Sequence, residues 1–167
     1  MEHEVAAVYA ASSRRLIGLL TVMGGSTTDA EEITQDAFVK LLEKWPRVQD
    51  YDDVEGWLRT VAVRMLISRY RRRRVASGGL RKLSAGARTT VSSDSADSRV
   101  DLAAAMATLP VTHRAAVLLH HVHDLPVDEV ATILRVPVGT VKSRLSRART
   151  ALAPLVAEDI EPERSTP

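Results

Sequence analysis

With 167 residues, the chain is long enough for one ordinary domain or two small ones, and its 45% hydrophobic but only 4% aromatic content suggests a helix-rich core of alanine, leucine and valine. The absence of cysteine excludes a disulfide scaffold, thiolate chemistry and cysteine-based zinc sites. The net charge of +2 conceals blocks: eleven acids and five bases in residues 1–55, ten bases and no acid in 56–93, acids again in 94–134, five bases and no acid in 135–157, and an acidic last ten.

Two basic blocks, each beside an acidic one, suggest two separate contacts with a polyanion. Neither resembles a disordered basic tail, because each sits on helical periodicity. No apolar run approaches the ~20 residues of a membrane span, and acids stand at the N-terminus where a secretory signal would be basic. The expectation is no membrane insertion and a cytoplasmic location.

Residues 5–23 are helical in pattern, with Val8, Leu16, Leu19, Leu20 and Met23 as core, and Gly24-Gly25-Ser26 stops the helix. Thr28-Asp29-Ala30-Glu31 has capping-box spacing, a hydroxyl at the cap and a carboxylate three residues on. The next helix buries Ala30, Ile33, Ala37, Leu41 and Trp45, flanked by Phe38 and Leu42, and exposes Glu32, Gln35, Asp36, Lys40 and Glu43. By periodicity alone that face is solvated surface. Residues 46–55 read as a loop.

Trp57, Leu58, Val61, Ala62, Met65, Leu66 and Tyr70 then make an i, i+3/i+4 stripe, opposite Arg59, Thr60, Arg64 and Ser68. The helix runs out into Arg69-Tyr70-Arg71-Arg72-Arg73-Arg74. No acid lies nearby in sequence to neutralise four consecutive arginines, so a phosphate-tracking surface is expected.

Residues 76–97 are rich in Ser, Gly, Ala and Thr and lack a period, so they read as a flexible linker between two helical halves. Ser98-Arg99-Val100-Asp101 restarts a helix, Leu109-Pro110 ends it, and Ala115, Leu118, Leu119 and Val122 mark the next. His113, His120, His121 and His123 cluster in sequence, but no carboxylate motif completes a metal site. With no glycine-rich phosphate cradle and no nucleophile elbow either, the chain is not expected to be an enzyme or to hold a metal or cofactor.

Two short helices with a tight break follow. Val127, Val130, Ala131 and Leu134 form one stripe, Arg135-Val136-Pro137 the break, and Val141, Leu145, Ala148 and Leu152 a second stripe. Thr140, Lys142, Ser143, Arg144, Ser146, Arg147 and Arg149 are left for the outer surface of the second helix. Bases and phosphates offer mainly acceptors, and short hydroxyls with forked donors suit them, so a helix-turn-helix with a DNA-reading second helix is expected over a merely solvated bundle helix, which would mix Glu with Arg. The tail 158–167 is acidic and contains proline.

The run Ala30-Glu31-Glu32-Ile33-Thr34-Gln35-Asp36-Ala37-Phe38-Val39-Lys40-Leu41, with Trp57-Leu58-Arg59-Thr60-Val61-Ala62 and Arg69-Tyr70-Arg71-Arg72-Arg73, resembles region 2 of an extracytoplasmic-function (group IV) sigma factor. Leu109-Pro110 and Val136 to Arg149 resemble region 4 of the same family. The resemblance implies an all-α protein of two small helical domains, 1–75 and 98–157. It also implies binding to core RNA polymerase and to promoter DNA.

By position, Glu32, Gln35 and Asp36 would face the polymerase clamp helices. Lys142, Ser143, Ser146 and Arg147 would read base edges of the minus-thirty-five element, with Arg144 and Arg149 nearer phosphates and Thr140 beside them. Loop 46–55 with Tyr51, and the Arg64/Ser68 face with Arg69, Arg71 and Arg72, would take the unstacked minus-ten strand. An anti-sigma factor enters as a further partner that the family uses, without being required.

Two departures stand out. Family members usually carry an Arg-Asn pair and then Asp on the region 2 helix, where this chain has Val63, Arg64 and Ser68, which implies an altered minus-ten preference. The turn glycine of the helix-turn-helix is Arg135, where a left-handed backbone would cost about 1 kcal/mol or more. The competing readings are a stand-alone two-helix regulator and a helical adaptor. The regulator has no need of the Gln35/Asp36 face or of the Trp57–Arg74 helix.

Overall fold

The first helix, α1 (Glu2–Gly24), carries a stripe of Val5, Leu16, Leu19, Leu20 and Met23 that is buried against its neighbours. By length and composition alone α1 could cross a membrane, with a mean hydropathy of 1.3, so the expectation that no apolar run approaches a span is corrected. Gly25 ends it in the left-handed region at φ 78°, its N–H bonding the Thr21 carbonyl at 2.7 Å, where a side chain would be strained.

This computed structural model describes residues 1–78 and 96–157, the side chains of 96–101 and 155–157 excepted, and every regular element among them is a helix. After α1 come α2 (Thr27–Val48), α3 (Val54–Ala76), α4 (Ala96–Ala107) and α5 (Val111–Val117). A π-helical turn, Leu118–Val122, leads to α6 (Val127–Leu134) and α7 (Val138–Ala157). Most of the 76–97 linker and all of the 158–167 tail lie outside the described residues.

The cap of α2 is Ser26, not Thr28: its hydroxyl accepts from the Asp29 N–H at 3.2 Å. The helix also continues through Pro46 to Val48, so the loop is only residues 49–53. Pro46 costs little there because it removes one bond of a last turn that buried Trp45 and Val48 hold down. Asp53 caps α3 by accepting from the Gly56 N–H at 2.7 Å.

Within the first half, α2 packs on α1 and α3 through Ile33, Ala37, Leu41 and Trp45. Phe38 meets Tyr9 edge to face, with ring centroids 4.8 Å apart. Leu20, Leu41 and Leu58 are almost fully buried, and burying one such leucine stabilises by roughly 1.5–3 kcal/mol. Leu42, expected beside the core, is 41% exposed. On α3 the stripe is turned slightly from the expected one. Val63 and Ile67 are buried with Leu58, Ala62 and Leu66, while Trp57, Val61, Met65 and Tyr70 are half-buried.

In the second half, the π-helical turn inserts an extra residue, the His123 N–H reaching back five residues to the Leu118 carbonyl at 3.1 Å. That slip turns Val122 out to 63% exposure, against the expectation that it shares the stripe of Ala115, Leu118 and Leu119. The His120 ring pairs with the Leu125 carbonyl at 2.8 Å, a tie across the connection to α6. The two halves lie against one another, with α1 and α3 on α5 and α6, and their buried side chains join into one apolar cluster.

Candidate nucleic-acid interface

The turn between α6 and α7 sets how α7 is presented. Arg135 is left-handed (φ 55°, ψ 47°), the Val136 N–H bonds the Ala131 carbonyl at 3.1 Å, and the Arg135 N–H bonds the Thr132 carbonyl at 3.3 Å. This pair of bonds is a Schellman ending, with arginine in the place glycine usually takes. Pro137 then cannot continue α6, and its carbonyl receives the Thr140 N–H at 3.0 Å to start α7.

Val141, Leu145 and Ala148 are buried on α7. Opposite them, Lys142, Ser143, Ser146, Arg147 and Arg149 are exposed, so the sequence places these five correctly on one free side. Thr140 and Arg144 are half-buried. Burial first, and then the charge of Arg71, hold the Arg144 guanidinium below its usual range, which puts Arg144 at the border between the halves. His113 of α5 lies beneath the same helix, its imidazole lowered by burial and by Arg144 and Arg147.

The second basic surface is α3. Ser68, Arg71 and Arg72 are exposed, and Tyr51 stands 45% exposed in the short loop before it. Arg64 and Arg69 are already engaged. Arg64 donates from Nε to the Ile133 carbonyl at 3.0 Å and from Nη2 to the Thr132 carbonyl at 2.9 Å. Arg69 bonds Asp29 at 3.1 Å and Glu32 at 2.8 Å. Val63, one of the departures from the family pattern, is fully buried and serves the core rather than a nucleic-acid contact.

Of the four consecutive arginines, Arg73 finds an acid distant in sequence. Asp29, at the first turn of α2, takes two bonds from Arg73 and one from Arg69. Those bonds, Arg73's foremost, keep its carboxyl below the usual range, and Asp29 raises Arg73 in return. These partners stand some forty residues from Asp29 in sequence, beyond what local periodicity reveals.

A groove of about 420 Å³ runs beside these residues, lined by Asp36, Lys40, Arg64, Ser68, Arg72 and Arg135 among others. It brings together residues expected on the minus-ten face, one expected on the polymerase face and the turn of the helix-turn-helix. Glu32, Gln35 and Asp36 are all exposed on α2, and Val39 (53% exposed) and Leu42 extend that side with apolar surface. Acidic and apolar surface thus share one side of α2. Among the described residues, no group of three His, Cys, Asp or Glu side chains is placed to hold a metal ion.

Residues 8–75 match the family model described as Sigma-70 region 2, and residues 99–152 the model described as Sigma-70, region 4. The chain is 32% identical over 156 residues to the ECF RNA polymerase sigma factor SigE of Mycolicibacterium smegmatis, covering 86% of this chain and 58% of that protein. It is 27% identical over 146 residues to the ECF RNA polymerase sigma factor SigW of Bacillus subtilis, covering 78% and 76%. Thus the chain spans little more than half of one relative and three quarters of another. Among solved structures, the sigma factor RpoE from Bartonella quintana, in complex with the anti-sigma factor NepR, has the same fold, with a TM-score of 0.74 at 22% identity over 93% of this chain and 98% of that one.

Proposed function

This chain belongs to the sigma-70 family of RNA polymerase sigma factors, and on that premise we propose that it binds core RNA polymerase and directs it to specific promoters. In this reading region 4 recognises the minus-thirty-five element and region 2 melts the minus-ten element. The working units are 1–75 and 98–157, joined by 76–97 and followed by the acidic tail 158–167. The protein is an initiation factor rather than an enzyme, it acts in the cytoplasm, and no cofactor is needed.

The observation that carries the reading is α7. Its buried stripe is fixed on α6, and its free side offers Lys142, Ser143, Ser146, Arg147 and Arg149 with no acid anywhere in 135–157. Such a surface gives both base discrimination, about 1–3 kcal/mol per good bidentate pair, and phosphate affinity that falls with salt. The basic face of α3 supplies the second contact. Unstacking a base costs a few kcal/mol, which stacking on an aromatic such as Tyr51, worth about 1–3 kcal/mol per base, can offset.

Glu32, Gln35 and Asp36, with exposed Val39 and Leu42 beside them, form the proposed polymerase contact. The Bartonella relative was solved with an anti-sigma factor, which supports an anti-sigma factor as a partner here too. The test is run-off transcription by purified core polymerase with and without the chain on a promoter library. Transcripts that do not differ between the two would refute the proposal.

A further inference from the structure

The groove beside α3 holds more positive charge than the protein itself neutralises. Among the described residues, Lys40, Arg64, Arg69, Arg72 and Arg135 line it against a single acid, Asp36. Arg69 is paired with Asp29 and Glu32. Lys40, Arg64, Arg72 and Arg135 enter none of the ion pairs formed among the described residues, and neither does Asp36. Burial first, and then the charge of Arg135, hold the Arg64 guanidinium below its usual range. Two like charges thus meet at the groove with no carboxylate between them, and an anion placed there relieves their repulsion.

The same groove has apolar lining. Ile33 is buried, Val61 and Met65 are half-buried, and all three border it. Its volume of about 420 Å³ lies within the roughly 300–1,000 Å³ of small-ligand sites. A lone phosphate leaves the apolar lining uncovered, and a wholly apolar ligand strips water from cations without replacing it. The occupant that satisfies both is an anion carrying a flat, weakly polar body. We propose that the groove is a binding site for a nucleoside polyphosphate, with Lys40, Arg72 and Arg135 on the phosphates and the base over Val61 and Met65.

Arg64 suits the base rather than the phosphates. Its Nε and Nη2 are held by the Ile133 and Thr132 carbonyls at 3.0 and 2.9 Å, which fixes the plane of the guanidinium, and such a plane stacks on a base. The three remaining cations come from α2, α3 and the α6–α7 turn, so they converge from separate elements on one place. A single phosphate group carries at most about two charges, and a nucleic-acid strand carries one per ~3.4 Å, so a chain of linked phosphates matches the cluster better than either. Asp36 is assigned above to polymerase, and Ser68 and Arg72 to the minus-ten strand. An occupied groove therefore opposes both contacts, a consequence that rests on the function proposed above, whereas binding itself does not.

The test is isothermal titration calorimetry on the full free chain at ~0.1 M salt, without polymerase, DNA or metal, comparing ATP, AMP, pyrophosphate and adenosine. ATP should bind about tenfold or more tighter than AMP or pyrophosphate, with adenosine weaker still. Lys40→Ala, Arg72→Ala and Arg135→Gly should each weaken ATP about tenfold, the loss of one bond from a charged donor. Asp36→Asn, which removes the only lining carboxylate, should tighten it. All four positions are exposed, so thermal unfolding should show the fold intact. Arg14→Ala, an exposed cation of α1 outside the groove, should leave ATP binding unchanged. Pyrophosphate binding as tightly as ATP would reduce the groove to an anion patch, and AMP binding as tightly would make it a strand contact; either overturns the proposal. So does an equal loss in Arg14→Ala, or no saturation by ATP up to about 1 mM. A failure of the sigma reading appears separately, as absent run-off transcripts.

Discussion

Replacing Asp29 by asparagine tests whether the first half is pinned by a non-local charge cluster. Asp29 is 15% exposed at its side chain and takes three guanidinium bonds, two from Arg73 and one from Arg69. Bonds to a charged group contribute about 1.5–3 kcal/mol each when shielded, but Arg73 is 64% exposed and its share is mostly screened. Adding the ~0.3–1 kcal/mol of an acid at a helix N-terminus gives a total loss of about 2 kcal/mol. With a urea dependence near 2 kcal/mol per molar, the midpoint should fall by about 1 M at unchanged slope.

Fluorescence of Trp45 and Trp57 follows that transition, since both tryptophans lie in the first half. The pH dependence gives a second readout. The folded carboxyl lies below its ordinary value of 3.8, so its stabilisation is fully present above that value and disappears as pH falls through the lowered one. Asp29→Asn should therefore differ from the parent at pH 7 and converge with it at strongly acidic pH. An equal difference at both pH values, or a midpoint shift below about 0.2 M, would refute the anchoring role.

Asp36→Arg combined with Gln35→Ala should abolish holoenzyme assembly in a pull-down while leaving thermal stability within ~0.5 kcal/mol, because both positions are exposed. Arg147→Ala should change which upstream element is preferred in transcription from randomised promoters, whereas Arg72→Ala should lower use of all promoters alike and flatten the salt dependence. If Arg147→Ala scales every promoter equally, α7 is a phosphate clamp. Arg135→Gly should raise the stability of the second half by about 1 kcal/mol in chemical denaturation, since glycine meets no penalty at φ 55°.

The features legible in the sequence are those decided within a few residues. The stripes of α6 and α7, the break at Pro137 and the exposure of Lys142, Ser146 and Arg147 follow from a 3.6-residue period and proline's missing donor. What escaped was set by distant partners or by competition between near-equal local choices. Ser26 and Thr28 both offer a capping hydroxyl, and only the hydroxyl of Ser26 takes the Asp29 N–H. Pro46 signalled a loop, but buried Trp45 and Val48 held the turn. Asp29 meets Arg69 and Arg73 only because α2 and α3 pack side by side. The π-helical turn has no simple sequence sign, and it alone displaced Val122.

The Glu32–Arg69 ion pair at 2.8 Å joins a residue assigned to polymerase with one assigned to DNA. Thermodynamic reciprocity then applies. If polymerase draws Glu32 away, Arg69 keeps only its bond to Asp29 and turns more readily to phosphate, and whatever factor polymerase adds to DNA affinity, DNA adds to polymerase affinity. With Glu32 58% exposed, the factor is modest, at most about fivefold. Glu32→Gln should erase it, so that DNA affinities measured with and without core polymerase differ by less in that variant than in the parent. A coupling left intact in Glu32→Gln would place the communication between the two ligands elsewhere in the chain.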